Sequence, residues 1–193
     1  VFLLVSPLHV HVSSGSHLID QALVLFGPPQ RVSAHILKQR RLPGTVVDDA
    51  FIIMLHYDEA GLTVTLRAGS LTALPGPRFL LHGTKGSFAK SGMDPQESQL
   101  RQGLLPSGSG FGSGFGTNPG TLRLELEGGV KTEGQVQMLD GCWKEFYDNL
   151  AQVVATGDAT KLHVRPEQAA LVIKVIEIAQ QSNEQQRTLT FGA

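Results

Sequence analysis

The segment Gly15-Ser16-His17-Leu18-Ile19-Asp20-Gln21-Ala22-Leu23-Val24-Leu25-Phe26-Gly27-Pro28-Pro29 constrains the fold of this chain more than any other. Leu18, Ile19, Ala22, Leu23 and Phe26 recur at i, i+1, i+4, i+5 and i+8. A helix here therefore carries one apolar face and must bury it against another element. Ser13 or Ser14 can cap its free amides, Gly27 supplies a left-handed residue past its end, and Pro28-Pro29 forbids continuation. The pattern predicts a short helix that opens near Gly15 and stops at Phe26. His17 then falls on its first turn. A titratable imidazole at the mouth of a helix is placed for proton transfer near neutral pH. From spacing alone the bland account, a partly exposed histidine near an N-terminus, is the favoured one.

Strands dominate the middle of the chain. Arg31–Lys38 alternates Val32, Ala34 and Ile36 with polar neighbours, which gives one buried face. Ala50–Tyr57 is apolar almost throughout, as an interior strand is, and needs cover on both faces. Leu62–Ala68 alternates again beyond the Glu59-Ala60-Gly61 turn, so these two should pair as a hairpin. Arg78–His82 and Ser87–Lys90 flank the compact turn Gly83-Thr84-Lys85-Gly86 and predict a second hairpin. Asp94-Pro95 opens a short helix ending near Gln102. Thr121–Glu127 and Val130–Met138 flank Gly128-Gly129 and predict a third hairpin.

Two helices close the chain. Trp143–Thr156 places Phe146, Leu150, Val153 and Val154 on one side and ends at Gly157. Arg165-Pro166 opens the other, where Ala169, Val172, Val175, Ile176 and Ala179 line a face as far as Asn183. Thr188–Phe191 reads as a last strand. Strands grouped between helices predict an α+β fold, a largely antiparallel open-faced sheet with helices on one face.

Composition excludes several classes of partner. Sixteen basic residues against seventeen acidic ones leave no global field to recruit nucleic acid or an anionic membrane. The single cysteine, Cys142, excludes an internal disulfide framework and suits a reducing cytoplasm. Beside Trp143 it reads as a small buried filler, since no local base would make it a nucleophile. Val1-Phe2-Leu3-Leu4-Val5 is too short to span a membrane and lacks the basic lead of a signal peptide. It reads as an edge strand or a disordered lead. His9-Val10-His11 would share one face of a strand, but two histidines without a third ligand nearby do not make a metal site.

Residues 103–120 are dense in glycine and serine. They contain no G-x-G-x-x-G and no strand-to-helix context, and no Walker motif occurs anywhere in the chain. Phe111 and Phe115 could stack on bases, yet the loop has no arginine or lysine. It reads as a mobile surface loop. No dinucleotide site is expected in this chain.

Several fragments together carry a resemblance. Gly15–Gly27 is followed by Val47-Asp48-Asp49-Ala50-Phe51, then Arg78-Phe79-Leu80-Leu81-His82-Gly83-Thr84-Lys85-Gly86-Ser87-Phe88. Asp94-Pro95-Gln96-Glu97, Phe146-Tyr147-Asp148-Asn149-Leu150 and the final helix complete the series. In this order and spacing the chain resembles the C-terminal domain of the glucose–fructose oxidoreductase/inositol 2-dehydrogenase (Gfo/Idh/MocA) family. The resemblance implies a fold like the C-terminal domain of dihydrodipicolinate reductase over residues 15–193, with residues 1–14 as an unmatched leader. It implies an NAD(P)-dependent dehydrogenase of polyols or sugars, whose nucleotide and catalytic lysine belong to an N-terminal Rossmann domain absent from this chain. It also implies pairing of subunits through the open sheet face.

The family's helix-opening motif is Asp-x-x-x-His, with the histidine as proton relay. His17 matches that histidine, whereas Ser13 stands in the place of the aspartate. Asp20, one turn after His17, and His82, at a strand end, are secondary candidates for contacting substrate hydroxyls. A structural carboxylate and a solvated turn histidine are the bland accounts of those two. Trp143 and Tyr147 are one turn apart and read as core or interface packing, and Lys85 as a solvated turn residue.

Two functions remain open. One is the substrate-binding and oligomerisation half of a cytoplasmic oxidoreductase, inactive in hydride transfer by itself. The other is a stand-alone, non-catalytic binding or assembly module that reuses the fold.

Overall fold

In a computed structural model of the chain, residues 10–41, 43–44, 47–74, 76–114 and 118–192 are described. The Val1–Val5 segment, His9 and Phe115 lie outside them. The chain forms two compact units, residues 1–73 with 164–193, and residues 74–163.

The first unit is a four-stranded antiparallel sheet backed by two helices. Its strands are β1 (Arg31–Leu37), β2 (Ala50–Tyr57), β3 (Leu62–Gly69) and β8 (Leu189–Thr190), in the order β3-β2-β1-β8. The expected hairpin of β2 and β3 is present, with Ile53 opposite Leu66 and Leu55 opposite Val64. Helices α1 (Val10–Phe26) and α4 (Pro166–Gln185) pack on one face. Ile19 and Ala22 of α1 and Val172, Val175, Ile176 and Ala179 of α4 meet Val32, Ala34, Phe51, Ile53 and Leu55 there. Several of these residues are wholly removed from water, and burying such side chains contributes roughly 1.5–3 kcal/mol each. Alternation in β1 and β3 decides which face is buried, as the sequence predicts. On β2 the cover is unequal: Phe51, Ile53 and Leu55 are buried, whereas Ile52 and Met54 on the other face are half-buried.

The free edge of β1 has a specific remedy. Among the described residues β8 pairs only with Arg31 and Val32, which leaves the amides further along β1 without a strand. The amide of Ala34 instead donates to Ser182 Oγ (3.1 Å) and that of Ile36 to Asn183 Oδ1 (2.8 Å). The end of α4 thus closes a sheet edge whose unpaired amides would otherwise invite another strand.

The second unit holds the other four-stranded antiparallel sheet, β4 (Phe79–Gly83), β5 (Gly86–Lys90), β6 (Gly120–Glu125) and β7 (Lys131–Val136), in that order. The two predicted hairpins form with Thr84-Lys85 and the Glu127–Gly129 turn at their tips. With it go α2 (Gln96–Arg101) and α3 (Trp143–Thr156), which ends at Gly157 in the left-handed region (φ 68°). The fold is α+β with antiparallel sheets, as expected, and its strands sort into two sheets rather than one.

Four local expectations need correction. α1 begins at Val10, so Ser13 and Ser14 lie inside the helix and do not cap it. His11 is therefore helical, and the alternating-strand account of His9-Val10-His11 fails. Cys142 is exposed, because it precedes α3 in an extended lead-in rather than packing under Trp143. Trp143 and Tyr147 are 45% and 67% exposed, so neither belongs to a core of this chain.

Candidate functional site

α1 presents two faces with different tasks. Ile19 and Ala22 are buried, with Leu18, Leu23 and Phe26 packed beside them. At 3.6 residues per turn His17 lies roughly 200° around the helix from Ile19, so it points away from the core. It is exposed, as is Asp20, and Val24 on the same side is 71% exposed. The earlier start of α1 moves His17 from the first turn to the eighth residue of the helix. No hydrogen bond joins His17 to Asp20 among the described residues. Ser13, one turn before His17, accepts the Ser16 hydroxyl on its backbone oxygen (3.0 Å).

What fixes α1 is a buried polar cluster that the sequence did not disclose. His11 and Asp48 are 3% and 2% exposed. The His11 amide donates to Asp48 Oδ2 (3.0 Å), and His11 Nδ1 lies 2.9 Å from Asp48 Oδ1. Its Nε2 meets the side-chain amide of Gln180 on α4 at 2.8 Å. With Nδ1–H directed at the carboxylate, Nε2 is the acceptor for the Gln180 N–H. The neighbouring Asp49 closes the loop between β1 and β2. Its carboxylate accepts from the amides of Gln39 (2.6 Å) and Arg40 (2.9 Å) and from Arg40 Nε (3.1 Å). Two adjacent aspartates thus hold the start of the helix and the entry to the central strand. Only their place in Val47–Phe51 hinted at such a role.

In the second unit, His82 is exposed on β4 with Nδ1 2.9 Å from Ser87 Oγ, its register partner. The polar residues most deeply buried there are Lys90 and Gln96, each 1% exposed. Lys90 Nζ donates to the Ser91 carbonyl (2.5 Å). Gln96 accepts from the Trp143 amide (2.9 Å) and donates to Asp94 Oδ1 (2.9 Å), which joins the start of α3 to the start of α2. Gln99, three residues on, receives the Gly112 amide (2.7 Å), so the glycine-rich loop is tied to α2.

That loop joins α2 to β6. A dinucleotide cradle runs from a strand into a helix N-terminus, so these residues do not fit the phosphates of NAD or NADP. Among the described residues no group of three or more His, Cys, Asp or Glu side chains could hold a metal ion. No helix among them is long and apolar enough to cross a membrane.

The sequence model of the oxidoreductase family's C-terminal alpha/beta domain (GFO_IDH_MocA_C) matches residues 10–191. The chain belongs to the Gfo/Idh/MocA oxidoreductase family. An uncharacterised oxidoreductase of Schizosaccharomyces pombe is 37% identical over 180 residues, 88% of this chain and 49% of its own length. A scyllo-inositol 2-dehydrogenase (NADP(+)) of Bacillus subtilis is 35% identical over 91% of this chain and 47% of its own. Among solved structures, the oxidoreductase yvaA of Bacillus subtilis superposes with a TM-score of 0.84 at 32% identity, over 94% of this chain and 50% of that one. This Gfo/Idh/MocA chain spans about half the length of the curated relatives it matches.

Proposed function

We propose that this Gfo/Idh/MocA chain is the substrate-binding and oligomerisation half of a cytoplasmic NAD(P)-dependent polyol or sugar oxidoreductase, inactive in hydride transfer by itself. The observation that carries the reading is His17, exposed on the outward face of α1 within Gly15–Gly27. An imidazole so placed can take the proton of a substrate hydroxyl as that carbon is oxidised. The hydride acceptor is NAD or NADP held by other residues than these. Asp20, on the outward side of the same helix, and His82 are lesser candidates for hydrogen bonds to substrate hydroxyls. The face of the first sheet opposite α1 and α4 carries half-buried Ile52 and Met54 between Ser33, His35, Thr65 and Arg67. An apolar centre with a polar surround is the composition of an association surface, and this face supports self-association.

A second reading, a non-catalytic binding or assembly module, is favoured by Ser13. In place of an aspartate one turn before His17, it contributes no negative charge to hold a protonated ring.

One experiment separates the two. The chain is joined to the dinucleotide-binding half of the Bacillus subtilis scyllo-inositol dehydrogenase and assayed with NADP(+) and scyllo-inositol. Turnover that vanishes in His17→Ala supports the oxidoreductase reading. A stable, cofactor-binding fusion that turns over only after Ser13→Asp makes the module reading the correct one.

A further inference from the structure

Alternation gives the first sheet two faces of different chemistry. Val32, Ala34, Phe51, Ile53 and Leu55 turn towards α1 and α4, so the residues between them turn away. Register sets Ile52 between His35 of β1 and Arg67 of β3, and Met54 between Ser33 and Thr65. Nearer the β2–β3 turn, His56 stands between Arg31 and Thr63. His35 is exposed, and Ile52, Met54 and His56 are half-buried.

A symmetric pair of copies sets a patch against itself. Apolar side chains meet their own kind without loss, and so do polar groups that both donate and accept hydrogen bonds. Ser33, Thr63, Thr65 and a neutral imidazole are of that sort. Asp58, at the turn end of this face, is held by the Arg31 guanidinium at 2.7 and 2.5 Å, so it is not free to draw in a cationic partner. Arg67 lies on β3, an edge strand, and is exposed. The apolar centre and its self-complementary hydroxyls and imidazoles therefore fit a second copy of this chain.

The two histidines put that fit under the control of protons. Imidazoles as a class gain their charge between about pH 8 and pH 5. A charged ring only donates, so it no longer pairs with its own copy, and like charges then face each other. With both rings neutral, Arg31 and Asp58 cancel and Arg67 leaves one positive charge on the face; protonation adds two more. Neighbouring groups do not reverse this. Beside His35, the end of α4 that closes the β1 edge continues with one acid and one base, Glu184 and Arg187. Lys38 follows the strand, and Asp49 beyond it is bound to Arg40. Beside His56, Asp58 is committed to Arg31, Glu59 lies in the turn, and β8 brings Thr190 opposite Arg31. Within one chain protonation of His56 breaks no bond to Ser33. Its hydroxyl, 3.0 Å from His56 Nε2, donates to the neutral ring and accepts from the charged one. The cost falls on association and not on the fold.

We propose that pairing of two copies through this face is switched by pH: they join while His35 and His56 are neutral and part when both are protonated. The inference rests on the self-association reading of the face and adds its regulation. One face of a four-stranded sheet is small for an interface, so affinity is low and two charges per copy decide it.

Sedimentation equilibrium of the whole chain at constant ionic strength tests this. A monomer–dimer equilibrium is expected at about pH 8, with a dissociation constant that rises roughly tenfold or more at about pH 5.5. Circular dichroism should show the same folded chain at both. His35→Gln/His56→Gln keeps a donor and an acceptor at each position without a titrating charge. It should dimerise like the parent chain at the higher pH and ignore acid. A chain that stays monomeric at both pH values up to about 1 mM removes the self-association reading and the switch with it. A dimer equally strong at both removes the switch alone, as does a folded double variant that still parts on acidification. Should that variant fail to fold, concentration-dependent amide shifts of the isotopically labelled parent chain decide. Shifts on residues 33–35, 52–56 and 63–67 that vanish in acid support the switch, and shifts confined to other residues overturn it.

Discussion

Asp48 and His11, separated by 37 positions, meet through two hydrogen bonds, and one of them comes from the first turn of α1. The carboxylate takes up both a helix-start amide and an imidazole nitrogen in a buried setting. Replacing one partner leaves the other desolvated, which costs more than the bond itself contributes. Asp48→Ala is expected to destabilise the first unit by about 1–3 kcal/mol. In hydrogen exchange, the amides of residues 10–14 should lose protection first. A urea melt unchanged from the parent chain would show that the pair contributes nothing.

Asp49 gives stability a pH dependence. Burial pushes its carboxyl up, but hydrogen bonds from the Arg40 and Gln39 amides and from the Arg40 side chain outweigh this and hold it below its ordinary value. A group depressed in the folded state contributes fully above the unfolded carboxyl's value, about 4. The contribution fades as pH falls through the lower folded-state value. The stability difference between the parent and Asp49→Asn should be flat from about pH 5 to pH 8 and shrink below about pH 4. Urea melts across that range measure it. A difference that grows on acidification would contradict the assignment.

Gly86 sets the spacing of β5 and β6. A methyl there would run into the Arg123 carbonyl oxygen and stand 2.9 Å from Leu124 Cδ2. The nearest obstacle is backbone, which cannot swing aside as a side-chain tip can. Gly86→Ala should destabilise the second unit by about 1–3 kcal/mol or more, as overpacking does. The loss should appear as faster amide exchange in β5 and β6, with β1 and β2 unaffected.

His17 should be dispensable for folding. It is exposed, and alanine is a better helix former by up to about 0.7 kcal/mol. His17→Ala is expected to leave stability unchanged within about 0.5 kcal/mol or to raise it slightly. A loss of several kcal/mol would make the ring structural and remove it from consideration as a proton relay.

Where most elements lie, and which face α1, β1, β3 and α4 bury, is written in the local chemistry of the chain. Alternation in Arg31–Leu37 and Leu62–Gly69, the Gly27-Pro28 stop and the Gly157 end of α3 are local signals, and local sterics enforce them. The order of motifs also carried the family. Whatever depends on distant partners had to wait for the folded chain. His11-Val12-Ser13-Ser14 has no helical signature, and those residues are helical with His11 held by Asp48 and Gln180. Alternation shows which face of a strand is apolar and not which strand lies beside it, so the division into two sheets was not legible. The half-exposed Leu150 and Phe146 of α3 and the exposed Cys142 followed the same rule. Burial is a property of neighbours, and the chain's order alone does not supply them.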